Sequence, residues 1–396
     1  MAYINFKEEI SAAKTQLKKR INNNIRVFEK LSNNKKDVYS EYNPNDRYSF
    51  KEHNNLVIGG GHPKKEDEFE EIKDTDIICA KFIKCRFSNI KFTSCKFIGC
   101  YFEECELMGG GVVFQDCIFV KTDKEDTPNL NKEDNFSCEF NFCNIYAKFI
   151  NCTLEFIIFN KCNLKNTNFE LSDMSNGIIY DSTLEMIIIS DSNLSGTKFV
   201  GTYIEDLEFR DKYKTKLDEK TFIDKIEFRK RDRDEYEGIY TVYENIADKF
   251  KDNNLQNNFG EYYFLCRKTQ RKVLKPMPRI SSTLGLISCG YGERPMYAVY
   301  FSLSIIILFS LLYLIFGIKV NEEIITYDAI NKFHGFRQML TDYNESLNLS
   351  VGMFAGVGLN EAQPSPRSYM LSNIEMIIGI LMMGIGVGAL VKKIVR

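Results

Sequence analysis

The stretch with the clearest chemical capacity is Ser350 to Pro364, which reads SVGMFAGVGLNEAQP. A short amphipathic segment beginning at Asn348 runs into a Gly-rich, nearly chargeless turn, and a polar loop with two prolines follows. Apolar helices are predicted on either side, from Met296 to Ile318 and from about Ile374 to Val391, the second stopping at Lys392 and Lys393. Non-helical backbone at membrane depth persists only where it is buried in protein or lines water. The chemistry on offer is therefore ion passage through a pore that needs several copies of the chain to close. Other reactive side chains form no set. His53, His62 and His334 lie far apart with no Cys or Ser partner in a recognisable motif, so no catalytic constellation emerges and no cofactor is implied. Gly59, Gly60 and Gly61 before His62 suggest a phosphate cradle, but no strand, helix or following Lys-Ser/Thr supports one.

The elements that must position the turn are the two apolar helices. Met296 to Ile318 is long enough to cross about 30 Å of hydrocarbon. Basic residues crowd before it, from Arg267 to Arg294, and end the chain, whereas Asn321 to Ser368 is poorer in them. By the positive-inside rule both ends are cytoplasmic and the intervening loop is outside. The N-terminus has no apolar h-region, so no cleaved signal is expected and the first 280 residues should stay in the cytoplasm. The 12 cysteines then meet a reducing compartment and are expected as free thiols. A net charge of −2 does not point to nucleic acid.

A period of five organises the middle of the chain. Phe82, Phe87, Phe92, Phe97, Phe102 and Leu107 fall five apart, the phase shifts near Gly109–Gly111, and a polar insertion occupies about 121–137. From Phe149 the period locks through Leu154, Phe159, Leu164, Phe169, Met174, Ile179, Leu184, Ile189, Leu194, Phe199, Ile204 and Phe209. Such a run arises by chance on the order of 10⁻⁵ in any one frame. Two residues before each member the residue is mostly small, for example Ala147, Cys152, Cys162, Thr167, Ser172 and Ser182. Neither helix nor plain strand repeats at five, but one side of a square solenoid does. The central Leu or Phe and the small residue point inward and the other three face water. Cysteines spaced by five follow this pattern, not the paired spacing of a zinc site.

These repeats resemble the pentapeptide-repeat family, over about Ile77 to Arg210. The resemblance implies a right-handed quadrilateral β-helix, here of roughly six coils and about 29 Å. Soluble members that mimic DNA are long acidic rods, and neither repeat block here is strongly acidic. Residues 1–45 carry a weak amphipathic pattern (Ile10, Leu17, Ile21, Ile25, Phe28, Leu31) and are expected to cap the repeats, with a membrane-surface helix as the alternative. Residues 46–74 read as a loop. After Arg210 the period becomes helical, and two helices joined near Asn253–Asn257 resemble the hairpin that follows the repeats in membrane-bound pentapeptide proteins. The basic run Arg267 to Arg279 is either a solvated face or a contact with anionic headgroups.

The tail, from about Tyr297 to Arg396, resembles the two-transmembrane potassium-channel-like family. Its pattern Ser-Val-x-x-Phe-Thr-Thr-Val-Gly-Tyr-Gly-Asp-x-x-Pro aligns without gaps, with Val357 and Gly358 at Val-Gly, Glu361 at the Asp and Pro364 at the closing proline. Arg367, Glu375 and Gly379 fall where that family often keeps Arg, Glu and Gly. Gly290-Tyr291-Gly292 mimics the filter signature but precedes the first apolar helix, and reads as a juxtamembrane turn. The resemblance implies a re-entrant pore loop, four-fold symmetry and a filter formed by Ala355, Gly356, Val357, Gly358, Leu359, Asn360 and Glu361. Ala355 and Gly356 replace two threonines, Leu359 replaces Tyr and Asn360 replaces Gly, which predicts fewer or wider ion sites. Gly384, Gly386 and Gly388 are a gating hinge or small residues for close helix packing.

The chain is thus expected to be multidomain. Residues 1–74 form a helical cap region, 75–210 the β-helix, 211–294 a cytoplasmic helical linker, and 295–396 a two-helix transmembrane pore domain. The expected function is a homotetrameric, weakly selective cation channel for potassium or sodium in a prokaryotic cell membrane. Membrane lipids and a cytoplasmic protein on the β-helix are the further partners. The alternative is a membrane-tethered interaction scaffold that conducts nothing.

Overall fold

The structure is a computed structural model that describes residues 4–33, 42–60, 68–120, 137–321, 323–327, 335–357 and 361–395. It divides into two compact units, Ala2–Val273 and Leu274–Arg396.

The first unit is built on a parallel β-solenoid of about 7 turns. One face stacks eight short strands in chain order: β1 (Glu52–Asn54), β2 (Lys81–Ile83), β3 (Tyr101–Glu103), β4 (Glu139–Asn141), β5 (Ile158–Asn160), β6 (Ile178–Tyr180), β7 (Lys198–Val200) and β8 (Phe222–Ile223). Their central residues form one column, His53, Phe82, Phe102, Phe140, Phe159, Ile179, Phe199 and Ile223. At one strand spacing per rung the column is about 34 Å long. Its phenyl rings stack at 5.0 Å (Phe82–Phe102), 4.4 Å (Phe102–Phe140) and 5.2 Å (Phe140–Phe159).

The corners explain why the period is five. From Asn151 to Asp206 every fifth residue has positive φ, near +50° to +70°, and the same holds from Cys79 to Glu104. One left-handed residue turns the chain through a corner, and four such corners close a square. The carboxamide and carboxylate residues at many of these positions tolerate that conformation best after glycine. The inward small residues do more than fill space. Cys105 Sγ donates to the Phe82 carbonyl at 3.2 Å, Thr167 Oγ1 to Ile145 at 3.0 Å and Ser172 Oγ to Phe149 at 3.1 Å. Each side chain therefore ties its coil to the one below. All 12 cysteines are free, and only Cys289 is not fully buried.

Three expectations change. The solenoid begins before Ile77: β1, Val57–Ile58 and Glu70–Lys73 are paired rungs within the stretch read as loop. It also continues past Arg210 through Lys216, which bridges to Asn193, and through β8. These two additions raise the count from six coils to about seven. Thirdly, α1 (Phe6–Asn33) does not cap an end but lies lengthwise along one side. Ala13 packs with Val200 and Phe222 of the last rungs, Leu17 with Ile158 and Ile178, and Val27 with Ile78 and Ile98. A helix of 28 residues is about 42 Å long, enough to run the whole length of the column. Under α1 the outward positions Ile78, Ile98, Ile158, Ile178 and Val200 are apolar and buried and do not face water.

The end cap is the helical hairpin α2 (Arg233–Asp252) and α3 (Gln256–Gln270). Ile239, Val242, Ile246 and Phe250 join the solenoid core directly. Tyr243 and Tyr262 hydroxyls accept the Ile226 and Ile223 amides at 2.8 Å, and Tyr262 stacks on Phe250 at 5.0 Å. Glu235 accepts the amides of Arg229, Lys230 and Arg231, which satisfies the chain as it leaves the last coil.

Candidate functional site

The second unit contains the Gly-rich segment. It comprises α4 (Pro276–Cys289), α5 (Pro295–Phe316), the short strands β9 (Ile318–Val320) and β10 (Glu323–Ile325), α6 (Phe336–Ala355), β11 (Gln363–Pro364) and α7 (Tyr369–Val395). Among the described residues α5 and Tyr369–Ile394 of α7 are long and apolar enough to cross a membrane. Prolines at the first helical positions start α4 and α5, and Gly290, with φ of 54°, ends α4. Gly290-Tyr291-Gly292 is indeed a turn before α5, with all three residues at positive φ.

α6 begins at Phe336, well before the amphipathic segment expected from Asn348. It lies between α5 and α7, and a seam of polar groups joins the three helices. The Ser346 hydroxyl donates to the Ser310 carbonyl. The Ser350 hydroxyl sits between the Ile306 carbonyl, at 2.9 Å, and Glu375 Oε1, and Tyr313 Oη donates to Glu375 Oε2 at 2.8 Å. Glu375, Ser346, Ser350 and Tyr313 are all fully buried. A buried carboxyl with two hydroxyl donors is satisfied where a lone one would be costly. The family pattern singles out Ser350 and Glu375, but not Ser346 or Tyr313. The i, i+4 spacing of Ser346 and Ser350 is the available signal, since it places two hydroxyls on one face.

Pairs along the seam run in opposite order on α5 and the same order on α7. Ser346 meets Ser310 and Ser350 meets Ile306, while Ser350 meets Glu375 and Phe354 meets Gly379. The last approach is the closest: a Cβ on Gly379 would lie 2.0 Å from the Phe354 carbonyl oxygen. Beyond α6 the chain returns to the end of α5, where Gln363 and Pro364 pair with Lys319 and Ile318. Ser365 and Ser368 there donate to the Phe316 and Gly317 carbonyls at 3.1 and 2.9 Å, satisfying groups that the helix end leaves open. Near this end Tyr327 donates to Asp342, and burial followed by that carboxylate pushes the phenol up to about 12.

Of the expected filter residues, Ala355 ends α6, Gly356 is its left-handed cap at φ 69°, and Val357 is 59% exposed. Glu361 is exposed at the start of the return. Gly358, Leu359 and Asn360 lie outside the described residues. Gly384 and Gly388 have nothing within 4 Å of a Cβ, and Gly386 has only Ala298, at 3.7 Å. Close helix packing within the chain is therefore made by Gly379 and not by these three. Lys392 pairs with the fully buried Glu293 at 2.6 Å, tying the end of α7 to the turn before α5. Among the described residues no group of His, Cys, Asp and Glu is arranged to hold a metal ion.

The Pentapeptide repeats family matches residues 145–185 with eight copies. Similar solved structures include a trypsin-treated form of QnrB1, a plasmid-mediated fluoroquinolone resistance protein. It is 14% identical, covering 42% of this chain and 91% of that one, with a TM-score of 0.20. HetL, a pentapeptide repeat protein involved in heterocyst differentiation regulation from the cyanobacterium Nostoc sp. Strain PCC 7120, is 10% identical over 35% of this chain and 62% of its own, with a TM-score of 0.14. Rfr23, from the cyanobacterium Cyanothece 51142, is 13% identical over 44% and 86%, with a TM-score of 0.14. No curated protein matches the sequence. The first unit is thus a pentapeptide-repeat β-solenoid domain, joined in this chain to two candidate membrane-spanning helices.

Proposed function

We propose that the chain is a subunit of a homotetrameric membrane pore for monovalent cations, with potassium and sodium weakly distinguished, and that the solenoid is its docking or gating module. In this reading α5 and α7 span the bilayer with both chain ends in the cytoplasm. α4 lies at headgroup level on Met277, Ile280, Leu284 and Ile287, which form one exposed apolar stripe. α6 and the segment after it form a re-entrant loop.

The observation that carries the reading is the return of the chain beside its own entry. Phe354 touches Gly379, ten residues into α7, or about 15 Å from its start, yet Gln363 is already paired at the end of α5. A helix that descends to mid-depth, in a chain that is back at the end of α5 by Gln363, needs either protein or water on its open side. Copies around a symmetry axis supply both. The C-terminal end of α6 carries partial negative charge, which favours cations where it points at the axis. Ala355 and Gly356 leave no hydroxyl ring below the filter, hence weak selectivity.

Purified full-length protein in planar bilayers, with potassium on one side and sodium on the other, tests this. Single-channel currents whose selectivity changes in Glu361→Gln and which vanish in Gly358→Asp are expected, together with a tetrameric mass in detergent. The replaced threonines favour a second reading, a membrane-tethered scaffold whose solenoid binds a protein and conducts nothing. A monomer without current would support the scaffold and end the channel reading.

A further inference from the structure

A cleft of about 350 Å³ lies between α1 and the strand face of the solenoid, near the low end of the range for small-molecule pockets. Its floor is four rungs of the ladder. Lys81, Tyr101 and Glu139 occupy successive rungs of one column, with Asn141 and Asn160 in the column two residues further along the strands. Its roof is α1, with Ile21, Asn24, Ile25 and Phe28.

The polar groups of the floor are unevenly satisfied. Asn160 Nδ2 donates to Asn141 Oδ1 at 2.8 Å, and Asn141 Nδ2 donates to Tyr101 Oη at 3.1 Å. Lys81 Nζ rests 4.9 Å above the Phe28 ring. The Glu139 carboxylate, in a residue only 7% exposed, has no hydrogen-bond or ion-pair partner among the described residues, although it lines the cleft. Asn24 Oδ1, on the opposite wall, is buried and also without a partner. The Glu139 carboxylate thus lines the cleft without a bond to either nearby donor, Lys81 Nζ or the Tyr101 hydroxyl, and an acceptor left so is costly unless something fills the role. Glu29 also lines the cleft and Glu103 stands beside Glu139, so carboxylates outnumber Lys81 there.

We propose that this cleft binds a small organic ammonium or amidinium compound, whose N–H groups donate to Glu139 and whose apolar body lies on Ile21, Ile25 and Phe28. The cation supplies donors and positive charge at once, which a neutral alcohol or a carboxylate does not. Burial, reinforced by Glu103, raises the Glu139 carboxyl to about 7, so the ionised acceptor is fully present only above neutrality. Because α1 forms the roof, an occupied cleft also fastens α1 to the rungs beneath it.

The test is saturation-transfer NMR and calorimetry of the full chain in detergent, with 3-methylbutylammonium as the probe and 3-methylbutanol as its neutral counterpart. The ammonium keeps its charge from pH 5.5 to pH 8, so only the protein titrates. Binding at pH 8 should weaken roughly tenfold or more at pH 5.5 and in Glu139→Gln. Ile25→Trp, which fills the cleft from the roof, should abolish it. Continued protection of Cys79 from maleimide, beneath α1, reports that each variant is folded. The proposal fails if the ammonium does not bind at pH 8, if the alcohol binds equally well, or if folded Glu139→Gln binds like the parent.

Discussion

Substituting Gly379 by alanine places a methyl group where the backbone of α6 now lies. The added Cβ would sit 2.0 Å from the Phe354 carbonyl oxygen and 2.8 Å from its carbon, whereas ordinary contact begins at 3.4 Å. One helix must therefore retreat by about 1.4 Å, and backbone, unlike a side-chain tip, cannot rotate away. Overpacking of this kind costs about 1–3 kcal/mol. The retreat also pulls Ser350 from Glu375, which leaves a buried carboxyl short of a donor. Gly384→Ala is the internal control, because nothing lies within 4 Å of its Cβ and alanine improves helix propensity by about 1 kcal/mol. Hydrogen exchange read by mass spectrometry on peptides from α6 and α7 localises the effect. At about 2 kcal/mol, opening of the last turn of α6 should rise roughly 30-fold in Gly379→Ala. In Gly384→Ala it should be unchanged or slower. Parental exchange in Gly379→Ala would refute the close approach, and a loosened Gly384→Ala would refute the open surroundings of that glycine.

Maleimide should label one site per native chain, Cys289, and all 12 cysteines after denaturation, because the other thiols are buried; mass spectrometry counts the adducts. Burial alone would raise the Asp211 carboxyl, but hydrogen bonds from Lys249 and Thr215 pull it down to about 2. Its contribution, about 2 kcal/mol, is full above the unfolded value near 4 and is lost as pH falls through 2. Asp211→Asn should therefore destabilise the solenoid at pH 7 and lose that effect toward pH 2, measured by urea unfolding. Glu139 behaves in the opposite sense, because its folded value of about 7 lies above the unfolded one. Its stability is lost as pH rises through 7, so Glu139→Gln should stabilise by about 1–3 kcal/mol at pH 8 and by little at pH 4.

The solenoid was legible because its repeat is a property of backbone geometry: one inward apolar residue and one corner every five positions. It became illegible where the column continued with other residues. His53 occupies the place of a phenylalanine in β1 and stacks on Phe82 at 5.2 Å, and the last coil needs a longer excursion to bring Lys216 and Phe222 into register. The apolar stripe of α1 announced a buried face without naming what covers it. The apolar outward residues Ile78, Ile98, Ile158, Ile178 and Val200 could have done so, as exceptions within a pattern that otherwise puts polar residues there. In the second unit helix lengths followed from composition. The Ser346–Ser350–Glu375–Tyr313 seam did not, since hydroxyls in apolar helices declare a partner but not which one.

The lengthwise course of α1 alters how the solenoid should come apart. Arrays of stacked repeats usually melt from their ends, because each coil answers only to its neighbours. Here one continuous rod touches rungs near both extremities, through Phe222 at one and Ile78 at the other. Fraying at either end must then bend or detach a helix that the rest of the array still holds. The strap converts a chain of nearly independent links into one object that opens as a whole or not at all. A pull applied at one end is felt at the other before any coil between them yields.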